Sequence, residues 1–242
     1  MKTSIIQLKT IFINGYLSGK HNILKKLLKL FLIFILCASS ANVLAQSDSI
    51  NLISNDFNID SLKKIYGKHK HLLKEYEVVS LIALSYYPEL LNEHIKFKFS
   101  SINSTERATV TFGSVFKKID KQYIICINDD IERTGMLLSQ APFYARVALI
   151  GHELAHILDF KSRGFLEMAW WGLSYMFTKH RTKIEKIADK TSIKHGLGRQ
   201  LYHWANFVLN HSTANKHYLK MKDSKYLLPD EILRYMKEYN LQ

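Results

Sequence analysis

The sequence predicts an α+β domain: one helical region, then a small mixed or antiparallel β-sheet, then a run of C-terminal helices. Three observations carry this. Between residues 94 and 129, three short runs rich in β-branched and aromatic residues are separated by polar turns. On either side of them, apolar residues recur at helical intervals. No internal repeat interrupts this order, and 242 residues that are 47% hydrophobic can bury a core.

Residues 1–45 are set apart from the fold. They hold Lys2, Lys9, Lys20, Lys25, Lys26 and Lys29 and no acid, then an apolar run from Leu30 to Ala38. Val43 and Ala45 stand at the spacing a signal peptidase needs for a cut before Gln46. The run is shorter than the roughly 20 residues of a spanning helix. A cleaved signal peptide is therefore expected, with export to a periplasm or the medium; the long basic flank keeps a retained membrane tether as the alternative. Leu36 before Cys37 argues against lipidation. Those six lysines are part of a formal net charge of +13, so the rest of the chain carries +7. Its cations are scattered in pairs with no groove-reading motif, which predicts a solvated basic surface and no nucleic-acid partner. Cys126 is the one cysteine beyond the leader, so no internal disulfide is expected.

Residues 46–67 read as a polar arm, with a propeptide role left open, and 68–242 as the domain. Asn58 or Asp60 suits the cap of a short helix. A helix is expected from Lys68 to Tyr86 and Tyr87, where Pro88 bends or restarts it. Strands are expected at 94–100, 108–116 and 122–129; Ile95, Phe97 and Phe99 alternate with lysines in the first. Helices follow at 141–160, 164–177, 181–196 and 198–211, and a last one from Pro229 to Tyr239.

Within the helix at 141–160, "GHELAH" places His152 and His156 four residues apart, so both rings lie on one face. Two imidazoles so spaced can bind one zinc ion. Glu153 points off to the side, where it can hold a water at the metal and accept its proton. Leu149, Ile150, Leu154, Ala155, Ile157 and Leu158 bury the rest of the helix. Downstream, "EKIAD" supplies Glu185 and, four residues later, Asp189. Glu185 can complete the ligand set, and Asp189 can accept the N–H of a ligand histidine and fix its tautomer. Asp159 is too far along the helix from His152 to share the metal.

H-E-x-x-H followed by E-x-x-x-D resembles the gluzincin, thermolysin-like branch of zinc metallopeptidases, over roughly residues 95–200. The resemblance implies a zincin-like domain with His152, His156 and Glu185 as zinc ligands. It also implies Glu153 as general base and Asp189 as orienter of a histidine, His152 in preference. The implied substrate is a peptide or protein, added as an extra strand at the sheet edge, for which "YIICIND" is the expected strand. The branch also uses a His or Tyr to stabilise the oxyanion; Tyr202, His203, His211 and His217 are the candidates, and spacing does not choose among them. A metal-retaining but catalytically silent envelope protein is the alternative, and the intact Glu153 argues against it.

Residues 164–177, "GFLEMAWWGLSYMF", are apolar for about four turns. Packing over the helix of His152 is the first expectation. A peripheral membrane contact through Trp170 and Trp171 is the second.

Overall fold

A computed structural model describes residues 58–114, 116–117, 121–210 and 212–241. The leader and residues 46–57 lie outside these. In chain order the regular elements are α1 (Ile59–Tyr66), β1 (Lys70–His71), α2 (Glu77–Ser85), β2 (His94–Phe99), β3 (Glu106–Val110), β4 (Gln122–Ile127), α3 (Ile131–Thr134), α4 (Phe143–Ser162), α5 (Phe165–Tyr175), α6 (Thr178–Ser192), α7 (Gly198–Asn210), α8 (Lys216–Lys225) and α9 (Pro229–Glu238). The α+β class holds, with one four-stranded mixed sheet among the described residues, in the order β1-β2-β4-β3.

The sheet is read most simply from β4. It pairs in parallel with β2, Ile95 facing Tyr123 and Phe97 facing Ile125, and antiparallel with β3, Ala108 facing Ile125. Ile95, Phe97, Ala108, Tyr123, Ile125 and Ile127 are buried as one apolar face. This corrects the expected edge: "YIICI" is the interior strand, and β3 is the edge. The reason is burial. Tyr123, Ile125, Cys126 and Ile127 are all out of solvent, whereas β3 turns Arg107 and Thr109 outward, as a solvent-facing edge requires.

Helix α4 is the axis of the domain, packed against α2, α6, α7 and β3. Its residues from Phe143 to Ile157 are buried except for Tyr144, so it is enclosed on every side. Gly151 makes that possible: a Cβ there would lie 2.2 Å from Leu197 Cδ1, in the turn after α6. That turn reverses at Gly196, whose φ of 89° is the left-handed conformation glycine adopts without strain.

Two boundaries differ from expectation. The helix expected from Lys68 covers only Glu77–Ser85. Before it, His69 takes a positive φ of 61° and Lys70–His71 pair with β2, which withdraws them from any helix. The strand expected at 108–116 ends at Val110, and a 3-10 turn follows at Phe112–Ser114. Asn58 is the cap of α1, accepting from the Ser61 N–H at 3.0 Å. Helix α8 was not foreseen in the sequence. Its segment, "KHYLKMKDSK", has no apolar period, and its start is fixed by Asn215 Oδ1 accepting from the Tyr218 N–H at 2.8 Å.

Candidate metal centre

His152 and His156 stand one turn apart on α4 and aim both rings at α6. The three atoms His152 Nε2, His156 Nε2 and Glu185 Oε2 converge: the two nitrogens are 3.1 Å apart, and the carboxylate oxygen is 3.0 Å from the first and 3.4 Å from the second. All three residues are buried. Among the described residues, this is the group of His, Cys, Asp and Glu side chains that could hold a metal ion.

Tautomers decide what the cluster needs. Asp189 accepts twice, from His152 Nδ1 at 2.7 Å and from the Leu227 backbone N–H at 2.8 Å, so it acts as a carboxylate. Nδ1 of His152 therefore carries the hydrogen, and Nε2 turns its lone pair toward Glu185. Lone pairs brought so close in a dry site need a shared hydrogen or a metal ion between them. The titration directions show the same demand. Burial by itself lowers the His152 pKa, but Asp189 and Glu185 outweigh it and raise it to about 10. Burial also works to raise the pKa of Glu185, yet its bonds to His152 and His156 hold it well below the carboxylate range. A tetrahedral ion with bonds of about 2.0–2.1 Å keeps its ligand atoms roughly 3.3–3.4 Å apart. The residues present fit a metal ion.

Around this cluster, side chains from four elements complete the site. Glu153, next to His152, is buried and accepts the backbone N–H of Ala108 on β3. Tyr175 at the end of α5 donates to Glu185 Oε1 at 2.5 Å, leaving Oε2 for the cluster. The Tyr226 ring lies 5.5 Å from that of His152, and Lys222 on α8 sits 3.7 Å from the Tyr226 ring centroid. A cleft of about 620 Å³ opens over His156, Glu153 and Glu185, with Ala108 on one wall and Trp171, Tyr175 and Arg181 on another. Glu106 Oε2, Trp171 Nε1 and Arg181 Nε are buried without hydrogen-bond partners, and all three residues line this cleft.

The structure thus brings His152, Glu153, His156, Glu185 and Asp189 into one cluster. It separates the candidates for an oxyanion donor. His217 reaches the cleft. Tyr202 and His203 do not line it; they are on α7, with the His203 ring 6.5 Å from that of Tyr144. His211 lies outside the described residues. Asp159 forms a two-pronged ion pair with Arg163 at 2.8 and 2.9 Å and is not part of the convergent group. Tyr175, Lys222, Tyr226 and Glu106 are parts of the site that no motif announced. They come from α5, from β3, and from α8 with the turn that ends it, and only the fold makes them neighbours.

No family model matches the chain, and no curated protein or solved structure matches it.

Proposed function

We propose that the chain is an exported zinc-dependent metallopeptidase with a zincin-like, gluzincin-type site, acting on peptide or protein substrates. The observation that supports this best is the convergence of two imidazole nitrogens and one carboxylate oxygen beside a buried glutamate, at the floor of an open cleft. His152, His156 and Glu185 hold the ion, and nitrogen and oxygen donors in a three-ligand set suit zinc with one position left open. Zinc, when bound, polarises a scissile carbonyl and acidifies a water molecule.

The chain's own residues do the rest. Asp189 fixes the His152 ring, and Tyr175 fixes the Glu185 carboxylate. Glu153 has one oxygen engaged by Ala108; its other oxygen takes a proton from the attacking water and delivers it to the leaving amine. The substrate backbone lies along the edge strand β3, whose outer side has no strand partner among the described residues. His217 is the oxyanion donor of choice, because it is the described candidate that reaches the cleft. Export rests on the leader's sequence. Among the described residues, no helix is long and apolar enough to cross a membrane.

The test is peptide cleavage. Zinc-loaded protein incubated with a mixed peptide library should yield defined new termini by mass spectrometry, and Glu153→Gln should slow this by roughly 10²–10⁴-fold. Zinc bound at one per chain with no peptide cut would leave a binding or structural protein instead.

A further inference from the structure

Helix α5 has two apolar faces. Met168, Trp171 and Tyr175 form the inner one: Trp171 packs edge-on to Phe160 at 4.9 Å and stacks on Tyr175 at 5.0 Å. Leu166, Trp170 and Leu173, spaced four and three residues apart, form the other, and Phe177 follows as the extended residue that opens α6. They are 78%, 68%, 57% and 65% exposed. Met176 and Phe165 extend the same surface. A surface helix ordinarily puts its charges on this outer stripe. Here the one charged residue of the helix, Glu167, is occupied at its start, accepting the Gly164 N–H at 2.7 Å.

Beyond Glu167, the charges along this stretch of chain have one sign. No Asp or Glu occurs from Met168 to Ile184, while Lys179, His180, Arg181 and Lys183 follow directly on the apolar stripe. Lys179 and Lys183 are exposed, one turn apart, and in no ion pair among the described residues. A large apolar patch bordered by cations marks a contact surface. The 11 residues of α5 are too few to cross a bilayer. An apolar stripe with an outward tryptophan, and lysines at its end, fits a helix lying in the headgroup layer of an anionic membrane.

We propose that α5 is a lipid-docking helix, seating Leu166, Trp170, Leu173, Met176 and Phe177 in an anionic bilayer surface with Lys179 and Lys183 against its headgroups. Trp170 and Trp171 then divide the work: Trp170 enters lipid, and Trp171 lines the cleft. The cleft opens beside the membrane, so that chains lying at or leaving the bilayer are the ones presented to it. Docking does not depend on the peptidase reading.

The experiment uses the full chain with vesicles of phosphatidylcholine alone or mixed with phosphatidylglycerol, including brominated forms of each. Any pull of the leader is common to all variants. Quenching of tryptophan emission by brominated anionic vesicles is expected, and Trp170→Phe should remove most of it. Leu166→Ser/Trp170→Ser/Leu173→Ser should bind anionic vesicles at least tenfold more weakly with an unchanged circular dichroism spectrum. Lys179→Gln and Lys183→Gln should each cost roughly fivefold, and added salt should weaken binding. Equal binding by the triple variant, or Trp170 emission unmoved by brominated lipid, overturns the proposal. So does a concentration-dependent dimer in sedimentation that the triple variant abolishes, since the occupant is then a second copy.

Discussion

The Ala108 backbone N–H donates to Glu153 Oε2. One hydrogen bond thus ties the edge strand to the residue beside the His152–His156–Glu185 cluster. It holds the Glu153 carboxylate against β3 and away from His152 and His156, which keeps it out of the ligand set. The edge strand and the glutamate are thereby held in one register.

Glu153→Gln tests that division of labour. The amide oxygen can still accept from Ala108, so fold and metal content should stay at the parent level. Hydrolysis should fall by roughly 10²–10⁴-fold, because an amide cannot take a proton. Metal content by mass spectrometry, alongside peptide turnover, separates the two effects.

Asp189 is expected to act only through His152. In Asp189→Asn the side chain can offer its N–H₂ to Nδ1, which would move the ring hydrogen to Nε2 and remove the lone pair that ligates. Zinc affinity should drop by roughly 10–100-fold. Competition with a chromophoric chelator measures this directly, and an affinity within twofold of the parent would dismiss the orienting role.

The same residues give metal binding a pH dependence. His152 must lose its proton to ligate, and in the metal-free site that proton is held with a pKa of about 10. Zinc uptake near pH 7 should therefore release a proton, with apparent affinity rising roughly tenfold per pH unit until about pH 10. Calorimetry in buffers of different ionisation enthalpy counts the proton. For stability the sign follows from the raised value. The folded pKa lies above the unfolded value of about 6.5, so the contribution is full below that pH and disappears as pH rises through 10. Metal-free protein should lose melting temperature between pH 7 and 10, and zinc-loaded protein should lose less.

Glu106 is the site's unfavourable member. Burial pushes its pKa up to about 8, more than the attraction of Lys222 pulls it down, and Glu153 adds to the rise. A carboxyl whose folded pKa is raised contributes stability at low pH that is lost as pH rises from about 4.5 through 8. Glu106→Gln should flatten that fall, so that urea denaturation shows a larger gain over the parent at pH 8 than at pH 5. A gain equal at both pH values would place the charge elsewhere.

The buried group that could hold a metal ion was legible in the sequence because a helix fixes spacing. His152 and His156 must share a face, and so must Glu185 and Asp189, whatever the tertiary structure. What spacing does not carry is the strand order. "YIICIND" looked like an edge that takes up substrate, but a run so uniformly apolar belongs inside a sheet, and the alternation of Arg107 and Thr109 was the sign of the true edge. The side chains around the metal ligands were illegible for a related reason. Tyr175 comes from a helix that reads as plain apolar packing. Lys222 comes from a helix without apolar period, and Tyr226 from the turn after it. Neighbours made by packing leave no spacing to read. Trp170 and Trp171 form an adjacent pair in sequence, yet one faces solvent and the other the cleft, because successive residues on a helix point about 100° apart.

If Glu185 completes a metal site with His152 and His156, the metal content of three proteins will report it. Parent, Glu185→Ala and Glu153→Gln should be loaded with zinc, freed of loose metal, and measured by plasma mass spectrometry with circular dichroism as a check on folding. Near one zinc per chain in the parent and in Glu153→Gln, with most of it lost in folded Glu185→Ala, is the predicted result. Zinc retained at the parent level in Glu185→Ala, or absent from all three folded proteins, would contradict it.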